Sequence, residues 1–363
     1  MIKILHISSA TTWRGGEQQI AYLVEELAKN KVEQHLFCVS GGMLEQWCIG
    51  NNISHTSYRK WSSIAPDTAK KLAVVYRQEN CTAIHTHDSH AHTYAYLAVQ
   101  VFRCAAPIIV HRRVDFPIKN SLFSSWKYNH CAIQAIICVS EAIRQIIRPS
   151  IVAKDKIKVV HDGIDVNRFQ ETTLNLHQCF QLHTDTKVIG NVAAIADHKD
   201  HITFVDTLEQ LLVKGMDVHG VIVGGDGGVR IALEEHIAKK SLDKHITLTG
   251  FRSDVVAILP AFDVFLFTSK EEGLGTSILD AFAAKVPVVA TRAGGIPEIV
   301  KHTKTGLLAD VGDAMQLAQY VEQVLSKLEV QQLLTQNASR QLLHYTKKQM
   351  TTKILSLYQT ILT

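Results

Sequence analysis

Two carboxylates, Glu272 and Asp280, bracket the run Glu271-Glu272-Gly273-Leu274-Gly275-Thr276-Ser277-Ile278-Leu279-Asp280. A strand-like apolar stretch at 264–267 leads into it and a helical stretch at 277–284 leads out. The first N–H groups of a helix lack intrahelical partners and carry the positive end of its dipole, which suits a phosphate. Glycines at the turn let a ligand approach the backbone. A carboxylate beside them can accept hydrogen bonds from sugar or ribose hydroxyls. This combination fits a nucleotide-sugar; the competing reading is a surface turn with an acidic helix cap.

Other chemistry-bearing groups stand at comparable places. Arg14-Gly15-Gly16-Glu17 follows the first strand-like run and opens a helix, again suiting a phosphate. Neither this turn nor Gly224-Gly225-Asp226-Gly227-Gly228 has the Gly-x-Gly-x-x-Gly dinucleotide spacing, and there is no P-loop. His111 ends an apolar run, and Lys199 follows another, where an ammonium can neutralise a phosphate as a point charge. In His85-Thr86-His87-Asp88-Ser89-His90-Ala91-His92, His85 and His87 share one side of a strand and could share an ion. Further ligands at suitable spacing are few, so no metal is expected; one or two of these histidines should line a cleft.

These groups need a scaffold that gathers them, and apolar strand-like runs alternate with helical ones throughout. Strands are predicted at 2–7, 34–39, 83–85, 108–111 and 135–139, then at 187–191, 218–223, 246–249, 264–267 and 286–290. Helices are predicted at 18–29 and 140–147, and in the second half at 203–214, 229–240, 254–261, 277–284 and 314–328. The alternation predicts α/β architecture, two doubly wound domains in series, with ligands outside the carboxyl ends of the strands. The join falls near Asp162-Gly163, followed by a polar, weakly patterned tract at 170–185. Met350, Ile354, Leu357, Tyr358 and Ile361 stand at helical spacing, so the tail is an amphipathic helix with a face to bury.

Composition narrows the class. The 363 residues exceed one compact core, and 46% hydrophobic with 20% charged residues is ordinary for a soluble globular protein. No apolar run nears the ~20 residues that span a bilayer, and the strand at the N-terminus predicts no secretion signal. Seven cysteines without a Cys-x-x-Cys pair are expected as reduced thiols in a cytoplasmic protein. A net charge of +4 does not point to nucleic acid. Basic residues are concentrated between 102 and 158, including Arg112, Arg113, Lys119 and Lys127. A basic face there would suit an anionic membrane surface or acceptor.

The order of these pieces carries a resemblance. A Gly-Gly turn after the first strand, a histidine at a mid-domain strand end and an Asp162-Gly163-Ile164-Asp165-x-x-x-Phe169 segment come first. Lys199, the Glu272-Gly273-Leu274-Gly275 turn and Gly294-Gly295-Ile296-Pro297-Glu298 follow. From about residue 2 to 362 the chain resembles the retaining glycosyltransferases of family 4, which have the GT-B fold. The resemblance implies two Rossmann-like domains facing a central cleft. Residues 1–168 would form the acceptor side, with a tail helix at 347–363 packing back on it, and 169–346 the nucleotide-sugar-binding domain.

It also implies roles. Glu272 would sit at the donor sugar, with Gly273, Leu274 and Gly275 offering backbone to its hydroxyls. Thr276, Ser277 and Ile278 would start the helix facing the diphosphate, Asp280 would bind the ribose, and Lys199 the diphosphate. Gly15 and Gly16 would form the loop beside the diphosphate, and His111 would lie near the reacting sugar. Two departures stand out: the family usually has Glu where this chain has Asp280, and Arg where it has Ala194. Arg292 and His198 are candidate replacements for the missing cation. The implied activity is metal-independent, cofactor-free, retaining transfer of a hexose from a UDP- or GDP-sugar to a glycan or lipid-linked hydroxyl. Its setting would be polysaccharide or lipopolysaccharide synthesis, at the inner face of the cytoplasmic membrane. An inactive partner protein, a sugar-nucleotide epimerase and a phosphorylase are the alternatives.

Overall fold

The computed structural model describes residues 2–62, 64–169 and 173–362. The start of the polar tract predicted at 170–185 and the last residue of the predicted tail helix lie outside the described residues. The chain divides into two compact units, Met1–Gly163 with Lys347–Thr363, and Ile164–Thr346. The division falls before Ile164 rather than at 168. There the Ile164 N–H donates to the Tyr345 carbonyl (2.9 Å) and Ile164 bridges Thr346, tying this stretch to the second unit.

The first unit holds β1 (Lys3–Ile7), β2 (Glu33–Val39), β3 (His55–Tyr58), β4 (Ala83–Thr86), β5 (Ile108–Arg112), β6 (Ile133–Cys138) and β7 (Ile157–Val159). They form one sheet in the order 3-2-1-4-5-6-7. The second unit holds β8 (Lys187–Val192), β9 (Val218–Val223), β10 (Ile246–Gly250), β11 (Val264–Phe267), β12 (Val288–Thr291) and β13 (Leu307–Ala309), in the order 10-9-8-11-12-13. All these pairings are parallel. Parallel strands need crossovers, and the intervening helices supply them, covering the apolar faces. Each unit is therefore a Rossmann-like doubly wound sheet, and strand order turns beside β1 in the first and beside β8 in the second.

Sequence patterning misses β3, β7 and β13. All three are short; β3 and β7 are the edges of the first sheet and β13 is an edge of the second, with too few residues to show a period. The strand predicted from 286 begins at Val288, because Pro287 lacks an N–H and Lys285 is left-handed at φ 59°. The helix predicted at 254–261 is an α-turn, Val255–Ile258, tightening into a 3-10 turn at Leu259–Ala261 around Pro260.

The tail helix, Lys347–Leu362, belongs to the first unit. Met350, Ile354 and Tyr358 pack with Tyr22, Leu23 and Leu27 from the Gly15–Lys29 helix and with Ile4, Ile109 and Ile137 from the sheet. Tyr358 also places its hydroxyl 2.5 Å from Nδ1 of His85. The tail is thus part of this core. Ile354→Ala should destabilise the first unit by about 2–4 kcal/mol through the cavity it leaves. Hydrogen exchange should then speed up in β1, β5 and the Gly15–Lys29 helix, while unchanged exchange there would show that the tail is not integral to the unit.

Candidate functional site

In the second unit, Lys199 follows β8 and Glu272 follows β11, the two strands that flank the turn in strand order. That adjacency brings together residues far apart in sequence: the Lys199 ammonium donates to Glu272 Oε2. Both side chains are largely covered, at 17% and 13% exposure, so the pair is shielded more than a surface ion pair. Ser269 Oγ donates to the same carboxylate at 3.3 Å, and Thr268 Oγ1 donates to the Lys199 carbonyl at 3.2 Å. The two loops are stitched by the Lys270 N–H donating to the His198 carbonyl (2.9 Å) and by the Lys270–Asp197 ion pair (3.0 Å).

Glycines seat this arrangement. Gly295 N–H donates to the Glu272 carbonyl at 2.9 Å. A Cβ on Gly294 would lie 2.0 Å from that carbonyl oxygen, at φ +45°, so the second Gly-Gly motif is the bed of the Glu272 turn. The run at 224–228 has a similar task. A Cβ on Gly224 would lie 1.9 Å from the Ala193 carbonyl oxygen, so this loop packs directly on the segment leading to Lys199.

Gly275 precedes the helix Thr276–Ala283 at φ 90°, and no side chain caps that helix start. The Ile278 N–H is taken by the Gly275 carbonyl at 2.9 Å, which leaves the N–H groups of Thr276 and Ser277 to meet an acceptor. One turn along, Asp280 is half-buried, and its Oδ1 is buried without a hydrogen-bond partner among the described residues. Burial raises its pKa to about 6, partly opposed by Arg168, a cation that sequence reading did not single out. Arg168 lies in a 3-10 turn, Val166–Phe169, next to the helix, and only tertiary packing brings its charge near enough to act on Asp280. Of the replacements considered for the cation missing at Ala194, Arg292 is engaged elsewhere: it donates to the Leu308 carbonyl (3.1 Å) and pairs with Asp310 (3.5 Å). His198 is exposed.

The first unit carries the remaining candidates. Gly15 and Gly16 open the helix Gly15–Lys29, and a Cβ on Gly16 would meet nothing within 4 Å. Internal packing therefore does not require that glycine. His111 is the last residue but one of β5 and is buried, its Nε2 without a hydrogen-bond partner among the described residues. It belongs to a cluster with His6, His85 and His87, whose rings lie at centroid distances of 4.2–5.8 Å. Burial lowers the pKa of all four, so they are neutral. His6 was not anticipated; it stands on β1 beside His85 on β4.

Ring nitrogens of His6, His85 and His87 lie within 4.8 Å of one another. Their partners argue against an ion: His6 Nδ1 and His87 Nε2 already share a hydrogen at 3.0 Å. An Arg113 N–H points at His87 Nδ1 (3.4 Å), so a metal on Nε2 would leave that imidazole accepting at both nitrogens, which a neutral ring cannot do.

The expected basic face is narrower than its composition. Arg112 is buried against Phe116 and Tyr128. Lys127 is buried and donates to Thr93 Oγ1 (3.2 Å), with its pKa lowered to about 8 by burial. Arg113 turns into the histidine cluster. Arg103, Lys119, Arg148, Lys154 and Lys158 remain exposed.

Two parallel-sheet Rossmann-like units with these motifs define the class, a GT-B glycosyltransferase fold. Residues 175–341 match the family model described as glycosyl transferases group 1, and residues 13–168 match glycosyltransferase family 4. The chain belongs to the family 4, group 1 glycosyltransferases. It is 25% identical over 303 residues to N-acetyl-alpha-D-glucosaminyl L-malate synthase of Bacillus anthracis, covering 81% of this chain and 77% of that one. It is 24% identical over 332 residues to the UDP-Gal:alpha-D-GlcNAc-diphosphoundecaprenol alpha-1,3-galactosyltransferase of Escherichia coli, covering 86% and 85%. Other curated relatives are matched over about half of their length. The fold superposes with TM-score 0.86 on Anabaena HepE in complex with UDP and glucose, at 20% identity over 99% of this chain and 100% of that one.

Asp280 gives a pH prediction. Its folded pKa, near 6, lies above the ordinary 3.8, so between these values the unfolded chain holds fewer protons and stability falls as pH rises. Asp280→Asn removes that loss. The variant should melt higher than the parent at pH 7.5, with the difference shrinking toward pH 4; an equal difference at both pH values would contradict a buried, unpaired carboxylate.

Proposed function

We propose that the chain transfers a hexose from a nucleoside diphosphate donor to a hydroxyl with retention of anomeric configuration, without a metal or other cofactor. The observation that carries this reading is the Lys199–Glu272 pair, which lies at the turn in strand order of the second sheet, where doubly wound sheets bind ligands. The uncapped start of the Thr276–Ala283 helix supports it. In this reading Lys199 leaves Glu272 for the diphosphate, joining the N–H groups of Thr276 and Ser277, while that of Ile278, expected to join them, is held by the Gly275 carbonyl. Glu272 is then free to accept from donor-sugar hydroxyls, beside the backbone of Gly273, Leu274 and Gly275. Asp280, with its unpartnered oxygen, takes the ribose hydroxyls, its side chain one methylene shorter than the family's glutamate.

The reaction breaks the bond from the anomeric carbon to the diphosphate and forms one to the acceptor oxygen on the same face. The acceptor's proton passes to a diphosphate oxygen, so no protein nucleophile is required. Lys199 and the helix start stabilise the charge developing on the leaving group. Gly15, Gly16 and His111 are assigned to the same reaction from the first unit, as the diphosphate loop and the group serving the sugar. Lys199→Ala should cut donor-dependent transfer by about 10²–10³-fold, and Glu272→Ala should also disable it. UDP- and GDP-sugars should be screened first by thermal shift, since the preferred donor stabilises the fold by mass action. Undiminished turnover in both variants would sink the assignment. Nucleotide binding without turnover in the parent would favour the inactive-partner reading, for which Ala194 is the motive.

The acceptor is proposed to be a glycan or lipid-linked molecule in cell-surface polysaccharide or lipopolysaccharide synthesis, met at the inner face of the cytoplasmic membrane. Two observations support this. The E. coli relative's name specifies a diphosphoundecaprenol-linked acceptor. In the first unit, Phe116, Leu122 and Trp126 are 53%, 73% and 61% exposed, on the stretch of chain that carries Lys119. Among the described residues no helix is long and apolar enough to cross a membrane. The chain should co-sediment with vesicles containing anionic lipid and less so with neutral ones, and replacing Leu122 and Trp126 with Ser should weaken it. Equal sedimentation with both vesicle types would remove the membrane from the proposal.

A further inference from the structure

The histidine cluster of the first unit is organised by one cation. The Arg113 side chain reaches three groups: Nη2 lies 3.3 Å from His111 Nδ1, Nη1 lies 3.4 Å from His87 Nδ1, and Nε lies 3.3 Å from Asp162 Oδ1. A guanidinium has only donors and does not lose its charge, so both Nδ1 atoms must accept. In a neutral imidazole this leaves the proton on Nε2. Both rings are buried and neutral, which removes the alternative of a doubly protonated ring. The constraint propagates: His87 Nε2–H donates to His6 Nδ1 at 3.0 Å, so His6 also carries its proton on Nε2. His111 Nε2–H has no hydrogen-bond partner among the described residues; Asp162 Oδ1 lies 3.9 Å away. Burial raises the pKa of Asp162, and the Arg113 guanidinium partly opposes this.

We propose that Arg113 is a positioning residue that fixes His87 and His111 as Nε2–H tautomers, so that His111 offers its substrate a hydrogen-bond donor rather than an acceptor. This rests on the reading that His111 serves the transfer, but the tautomers themselves are measurable without any assay of transfer. A donor at that atom suits a sugar hydroxyl oxygen or ring oxygen; the Nδ1–H tautomer would present a lone pair instead. The arrangement also accounts for the run of histidines as a set: His87 and His6 extend a directional chain of hydrogen bonds away from the same arginine.

The test is long-range proton–nitrogen correlation on the full chain labelled with ¹⁵N-histidine, with His87→Gln and His111→Gln used for assignment. In the parent at pH 7, His87 and His111 should both appear as neutral Nε2–H rings. Arg113→Met should let at least one of them populate Nδ1–H, and Arg113→Lys, which cannot bridge two rings, should retain at most one fixed tautomer. Finding His111 as Nδ1–H or as imidazolium in the parent would overturn the proposal, even if neither variant folds. Unchanged tautomers in a folded Arg113→Met chain would overturn it as well. In the transfer assay Arg113→Lys should lower kcat about 10-fold or more with donor KM within about twofold, as expected for misplacing a group near the chemistry. The predicted tautomers in a parent chain that transfers nothing would leave the assignment of Arg113 standing and remove the transfer reading alone.

Discussion

Every strand pairing in both sheets is parallel, and the placement of the functional groups follows from it. A parallel sheet directs all its strands one way, so the loops leaving their carboxyl ends gather along a single edge. Where strand order turns, neighbouring loops come from strands far apart in sequence. In the second unit these are the loops after β8 and β11, and they hold Lys199 and Glu272 against each other. In the first unit the strands at the turn are β1 and β4, and they bring His6 to His87. One topological rule thus produces an ion pair in one unit and a histidine pair in the other.

The two edges differ in charge because their residues differ in protonation. In the second unit a cation and a carboxylate neutralise one another, so a diphosphate arriving at Lys199 would displace an existing partner. The ion pair keeps the lysine in place, and opening it would cost energy that any ligand taking the lysine must offset. In the first unit, burial removes charge from the histidines and leaves Arg113 and Asp162 as the ionic pair. Such a cluster is satisfied only if each ring adopts the tautomer its neighbours require.

Close backbone packing accounts for the glycines better than flexibility does. Gly294 and Gly224 leave no room for a Cβ, because the Glu272 and Ala193 carbonyl oxygens occupy that space. Gly275 needs a positive φ to start its helix. Gly16 is the exception: among the described residues nothing lies within 4 Å of a Cβ placed there.

The α/β class, the two-fold repetition of the pattern and most core strands were legible from apolar periodicity, because a buried parallel strand is a continuous apolar run. Short edge strands were not, since three or four residues carry no period. The order of motifs along the chain was enough to identify the family and to nominate Lys199, Glu272 and Asp280. What each side chain touches was decided by the fold. No spacing in the sequence tells that Lys199 meets Glu272, that the charge of Arg168 acts on Asp280, that His6 joins His87, or that Arg112, Arg113 and Lys127 turn inward from an apparently basic surface. Local pattern determines which elements form, because backbone hydrogen bonding and burial act within a segment. Which segments become neighbours depends on strand order, and only the assembled sheet shows that.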